Sequence, residues 1–176
     1  MLLSLVLFRR RARPGVLWWT GVAVFVLFLP NAPYVLTDIV HVLDHVRDGA
    51  SNQAVVGVYA PAYAAFFAFG FGIYVLCLRA VREYVAAEWG RRVVLPVILT
   101  LQLVSAVGIY LGRIVRLNSW DAVTAPNTVA GSVQRLSERL PAATVVATFV
   151  GLVLLTTLAD ACLDGLRARW EHHTLL

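Results

Sequence analysis

A chain of 176 residues that is 60% hydrophobic and only 14% charged, with a mean hydropathy of +0.76, lies outside the range of soluble domains. Its net charge of +5 comes from fifteen basic residues, all arginine, set in short clusters between apolar runs. That is the pattern of membrane-helix anchors and argues against a nucleic-acid surface, while two isolated cysteines, Cys77 and Cys162, argue against a disulfide framework or zinc knuckle and read as small packing residues near helix ends.

The chain opens with "MLLSLVLFRRRARP", in which the apolar stretch precedes the positive charges, the reverse of a secretory signal. Residues 1–8 are too few to cross a bilayer and are predicted to form an interfacial stub or the remnant of an upstream helix. Four uncharged runs follow. Gly15 to Leu29 is short, is ended by Pro30 and Pro33, and needs its flanks to cross. Ala54 to Leu78 contains Pro61, Gly70 and Gly72, which invite a kink or close packing. Val93 to Gly112 carries Gln102, Ser105 and Gly112 on one stripe that leads out to Arg116, and its pair Gly108 and Gly112 suits a close helix approach. Ala142 to Ala159 is followed by Asp160 and Asp164.

The expected fold is therefore all-α: a polytopic transmembrane bundle of about four spans, near 15–30, 54–78, 93–112 and 142–161, plus short interfacial helices. Residues 1–176 read as a single integral membrane domain, with loops 31–53 and 113–141 on one face. Arg9, Arg10, Arg11, Arg13, Arg79, Arg82, Arg91, Arg92, Arg167 and Arg169 fall on the opposite face, which the positive-inside rule makes cytoplasmic, together with both termini. The two loops then lie outside. In the second, Val129, Val133, Leu136 and Leu140 recur at helical spacing behind Asn127, a candidate N-cap, and predict a surface helix.

The unusual residues gather in those loops. "LPNAPYVLTDIVHVLDHVRD" breaks the chain with two prolines and restarts it; a helical restart puts Asp38, His41 and His45 on one face. Two histidines four residues apart with an aspartate one turn earlier have the spacing of ligands for a divalent transition metal. The same residues also suit a metal-free catalytic or binding cluster, or a polar face turned to water. "GIYLGRIVRLNSWD" ends the third run on Arg113, Arg116, Asn118, Ser119, Trp120 and Asp121. Two arginines at a non-cytoplasmic helix end call for local compensation: an ion pair with Asp38 or Asp121, or an anionic headgroup, which the planar guanidinium fork recognises. Asn118, Ser119 and Asp121 could instead cap the next turn, and Trp120 anchor it at the interface.

These two segments resemble the signatures of a bacterial family of multi-pass membrane proteins, domain of unknown function 1361, which read approximately Pro-Asn-Ala-Pro-Tyr…Thr-Asp…His and Gly-Arg…Arg-Trp-Asn-Ser-Trp-Asp. The resemblance marks Pro30, Asn31, Pro33, Tyr34, Thr37, Asp38 and His41, then Gly112, Arg113, Arg116, Asn118, Ser119, Trp120 and Asp121. Leu117 stands where a tryptophan is usual, and His45 lies outside the pattern, which weakens a three-ligand metal site. Family members are longer at the N-terminus, and the resemblance implies no known activity.

Three functions follow. The first is a membrane-embedded hydrolase or transferase acting at the outer face on a lipid or lipid-linked substrate, with Asp38, His41 and Asp121 as catalytic groups and Arg113, Arg116 and Asn118 holding an anionic headgroup. The second is a non-catalytic lipid-binding or transport-related protein; the third is a structural subunit whose motifs lock its loops. No internal repeat supports a transporter, and a homo-oligomer could supply a missing wall. Expected partners are the bilayer and an anionic lipid, with no nucleic acid.

Overall fold

The computed structural model of the chain describes residues 1–9, 15–34, 51–117 and 120–173. Every regular element in them is helical, because a backbone in hydrocarbon must satisfy its own hydrogen bonds. In order these are α1 (Leu2–Ser4) running into a π-helical turn (Leu5–Arg9), α2 (Val16–Phe28), α3 (Asn31–Tyr34) and α4 (Asn52–Ala54). A second π-helical turn (Val55–Tyr59) then leads into α5 (Ala60–Glu88), followed by α6 (Arg91–Arg113), α7 (Asp121–Thr124), α8 (Pro126–Gln134) and α9 (Arg139–His173). Four stretches are long and apolar enough to cross a membrane: Val16–Pro33, Val55–Glu88, Arg91–Arg113 and Arg139–Arg169. The chain is an all-α bundle of candidate transmembrane helices with short helices at one end.

The prolines act differently from the sequence expectation. Pro30 and Pro33 do not end the first span: Leu29 N–H still bonds Phe25 O at 2.9 Å, and Ala32 N–H reaches Leu29 O at 3.2 Å in a tighter turn. The span thus reaches 18 residues, roughly 27 Å at ~1.5 Å per residue, close to the thickness of the hydrocarbon core. Pro61 lacks an N–H for the usual bond to residue 57, and the segment just before it, Val55–Tyr59, is wound as π-helix. Gly72 makes no close approach, since a Cβ there would meet nothing within 4 Å.

Beyond Leu78, α5 continues through Arg79 and Arg82 to Glu88, and Trp89 N–H closes it on Val85 O at 2.9 Å. Gly90 then turns the chain at φ 89°, a left-handed conformation that glycine adopts without strain, and α6 returns antiparallel. The central helix is α6, packed against α9 on one side and α5 on the other. Between them Tyr74, Leu78, Ile98, Ala106, Ile109 and Leu152 form the core, while Phe66, Phe69, Leu154 and Leu158 are exposed on the outside of the bundle.

The N-terminal segment packs against the bundle with one face. Ser4 and Leu7 are buried, at 1% and 5% exposure, and the segment lies along α5 and α2. Cys77, which lies mid-helix and not near an end, places its sulfur 3.5 Å from Ser4 Oγ, and Trp18 Nε1 donates to Leu7 O at 3.1 Å. Phe8 sits edge-on to Phe25 at 5.2 Å. These rings, with Trp19, Tyr84 and Trp89, surround an entirely apolar cleft of about 80 Å³. Cys162, by contrast, is exposed.

Two polar features tie the long helices together. Gln102 Nε2 donates to Thr156 Oγ1 at 2.7 Å in the buried α6–α9 seam, and Thr156 donates in turn to Leu152 O at 2.8 Å. One turn further along α9, Asp160 accepts from Arg79 Nε, and its other carboxylate oxygen accepts from Arg82 Nη1 at 2.9 Å; Arg79 Nη2 bonds Asp164 at 2.8 Å and the Asp160 carbonyl at 3.0 Å. Two arginines that the sequence assigns to a loop therefore belong to an interhelical ion cluster.

The surface helix is shorter than its apolar spacing implies. Pro126 occupies the first turn of α8, the N-cap is Ala125 and not Asn127, and the chain tightens to a 3₁₀ turn at Arg135–Ser137 before Glu138 becomes extended. Leu140 consequently belongs to α9, where it is exposed.

Candidate functional site

Pro30 and Gly108 bring the two sequence motifs together. A Cβ built on Gly108 would stand 2.6 Å from Pro30 Cγ and 2.7 Å from Pro30 Cβ, so the pyrrolidine ring rests directly on the α6 backbone. The small-residue pair read from sequence as a helix contact thus receives, at Gly108, the proline turn of the first motif. That turn continues as α3, which packs on both α5 and α6, with Pro33 fully buried. From α2, Phe28 meets the edge of the Trp120 ring at a centroid distance of 5.3 Å. Residues 28–33, 108–117 and Trp120 therefore share one end of the bundle.

At that end the polar residues divide. Arg113 is the last residue of α6, half-buried, with its charge at the negative end of the helix dipole. Arg113, exposed Asn31 and half-buried Asp121, which opens α7, are each engaged in a hydrogen bond, ion pair or other electrostatic contact. Gly112 lies half-buried in the last turn of α6.

Arg116 is different. Its φ of 62° is left-handed, the only such value at a non-glycine among the described residues. Ile114 N–H bonds Tyr110 O at 2.9 Å, and the reversal at Arg116 lets Leu117 N–H cap Leu111 O at 3.0 Å. Arg116 is exposed and makes no hydrogen bond or ion pair among the described residues. Beyond it, Trp120 is exposed and its carbonyl accepts from Thr124 Oγ1 at 3.1 Å.

The polar stripe expected on the third span does not run out to this mouth. Gln102 and Ser105 are buried in the bundle, at 3% and 0% exposure, and Ser105 Oγ donates to its own helix at Leu101 O, 2.8 Å away. Arg116 has left the helix before it could continue the line. Tyr74, on α5, is fully buried and its hydroxyl makes no hydrogen bond among the described residues.

Thr37, Asp38, His41, His45, Asn118 and Ser119 lie outside the described residues, as does the side chain of Tyr34. Among the described residues no three His, Cys, Asp or Glu side chains gather to hold a metal ion. Sequence reasoning missed the ion cluster of Arg79, Arg82, Asp160 and Asp164; the signal was an arginine and an aspartate each interrupting an otherwise apolar helix.

The fold and the paired motifs define a helical membrane protein with a polar end built from two separated sequence segments. The family model described as "Protein of unknown function (DUF1361)" matches residues 1–156, and the chain belongs to that family. No curated protein and no solved structure matches it. The matched region contains both motifs and Arg79 but stops short of Asp160 and Asp164.

Proposed function

We propose that the protein is a membrane-embedded hydrolase or transferase that takes an anionic lipid or lipid-linked substrate at the outer face of the membrane. The observation that carries this reading is the contact of Pro30 with Gly108, which supports a single polar site made from both motifs. In it Arg113, Arg116 and Asn118 build the headgroup site, Asp38 and His41 serve as general base or as metal ligands, and Asp121 orients the reacting group. Arginine suits the task because its fork of N–H donors matches phosphate or carboxylate oxygens. The positive-inside count supports the outer assignment, with both termini cytoplasmic.

The test is turnover. Detergent-purified wild type is incubated with phosphatidylglycerol and with a native lipid extract, and products are followed by mass spectrometry beside Asp38→Asn and His41→Ala. A new lipid species made by wild type and lost in variants with unchanged melting temperature supports catalysis. Metal content is measured on the same samples, since a transition metal that disappears with His41 marks Asp38, His41 and His45 as ligands. The closeness of the Pro30–Gly108 contact also favours a second reading, in which the motifs only brace the bundle. Under that reading Asp38→Asn lowers the yield of folded protein, and no lipid product forms.

A further inference from the structure

Resting on the reading of this end as an anion site, we infer that its two arginines have separate tasks: Arg116 is the guanidinium that engages the phosphate of a lipid headgroup, and Arg113 is the brace that holds the site. Three observations converge on Arg116. Its side chain is exposed and unpaired among the described residues, whereas Arg113 is half-buried and already engaged. Its backbone occupies φ 62°, a left-handed conformation that strains an L-residue relative to glycine. And that backbone is fixed: Leu117 N–H on Leu111 O, with Val115 N–H reaching Tyr110 O at 3.4 Å, ties the turn to the last carbonyls of α6.

A helix terminator of this geometry is ordinarily glycine. An arginine there adds backbone strain and gains no partner among the described residues, so the side chain has to be accounted for by something outside them. Strained residues held in place by their surroundings concentrate at ligand sites. The end of a membrane-spanning helix is also where a cation meets lipid phosphates. The half-buried guanidinium of Arg113, at the C-terminus of α6, is compensated by the helix dipole and by its engaged contact, and so is not available in the same way.

The left-handed turn supplies a test in which folding and binding separate. Arg116→Gly removes the guanidinium while giving the backbone the residue it favours, so the variant melts at or above the wild-type temperature. The full chain in detergent is titrated with phosphatidylglycerol, phosphatidylcholine and inorganic phosphate, and binding is read as retained lipid per folded protein. Wild type is expected to prefer phosphatidylglycerol to phosphatidylcholine, Arg116→Gly to lose that preference by about tenfold, and Arg113→Gln to melt lower yet keep the preference in its folded fraction. Competition by inorganic phosphate at millimolar concentration would assign the site to free phosphate, overturning the lipid assignment. Retention of the preference in Arg116→Gly, or its loss in Arg113→Gln at unchanged melting temperature, would overturn the division of tasks and leave the anion site intact. If wild type shows no preference at all, the anion-site reading itself fails.

Discussion

A methyl group at position 108 would collide with a proline ring that cannot swing aside, so Gly108→Ala must separate α6 from the turn at Pro30. The expected cost is about 1–3 kcal/mol, in line with overpacking elsewhere, read as a lower melting temperature of the purified protein. Gly72→Ala, with open space around it, serves as the control and leaves melting within about 0.5 kcal/mol of wild type. Tyr74 gives the opposite expectation. Its hydroxyl is buried and makes no hydrogen bond among the described residues, with the Ser105 hydroxyl beside it donating to Leu101 O. Tyr74→Phe should therefore leave stability unchanged or raise it by up to about 1 kcal/mol, since a buried unpaired hydroxyl carries a desolvation cost; a clear loss of stability would mean that the hydroxyl has a partner. Sequence marked Gly108 for a close approach but not the proline that makes it, and gave no role to Tyr74. A tyrosine in an apolar run becomes informative only when its neighbour is known.

Between elements, the ion cluster joins α5 to α9 where hydropathy alone sees two helix ends. Asp160 is 15% exposed and receives both Arg79 and Arg82, so Arg79→Ala leaves a partly buried carboxylate with a single arginine that is itself 45% exposed. The expected loss is about 2–4 kcal/mol, somewhat less than for a fully buried pair. Asp164→Asn, at an oxygen-bearing side chain 68% exposed, changes melting by less than about 1 kcal/mol. The four spans were legible as uncharged runs because hydrocarbon admits little else. Their limits were not: a run stops at its first charge, while a helix continues through Arg79 and Arg82 wherever a carboxylate on another helix meets them. Likewise Pro30 and Pro33 mark a break in hydrogen bonding, but whether the chain turns away or stays helical depended on α5 and α6 receiving the turn.

For the whole molecule, the arrangement predicts that residues near both motifs label from one side. With Cys77 and Cys162 replaced by serine, a cysteine at Asn127 should react with a membrane-impermeant maleimide in intact cells, and a cysteine at Glu88, at the opposite end of the bundle, only after lysis. Labelling of position 88 alone in intact cells would reverse the orientation, and two of the ten arginines counted toward the cytoplasmic face are in fact paired within the bundle. The sequence by itself determined the class of this protein: composition forces it into the membrane, the backbone's hydrogen-bonding demand makes it helical, and two motifs mark where its unusual polar residues gather. Tertiary structure decided what those motifs are to each other. Pro30 and Gly108 are far apart along the chain, and only the packing of α3 on α5 and α6 makes them neighbours. The same holds for Arg113 and Arg116. They are alike in the sequence, and only the end of α6 between them makes one an engaged, half-buried group and the other an exposed cation on a left-handed turn. Composition and periodicity are sums over local residues, whereas burial and pairing belong to the contacts that distant residues make.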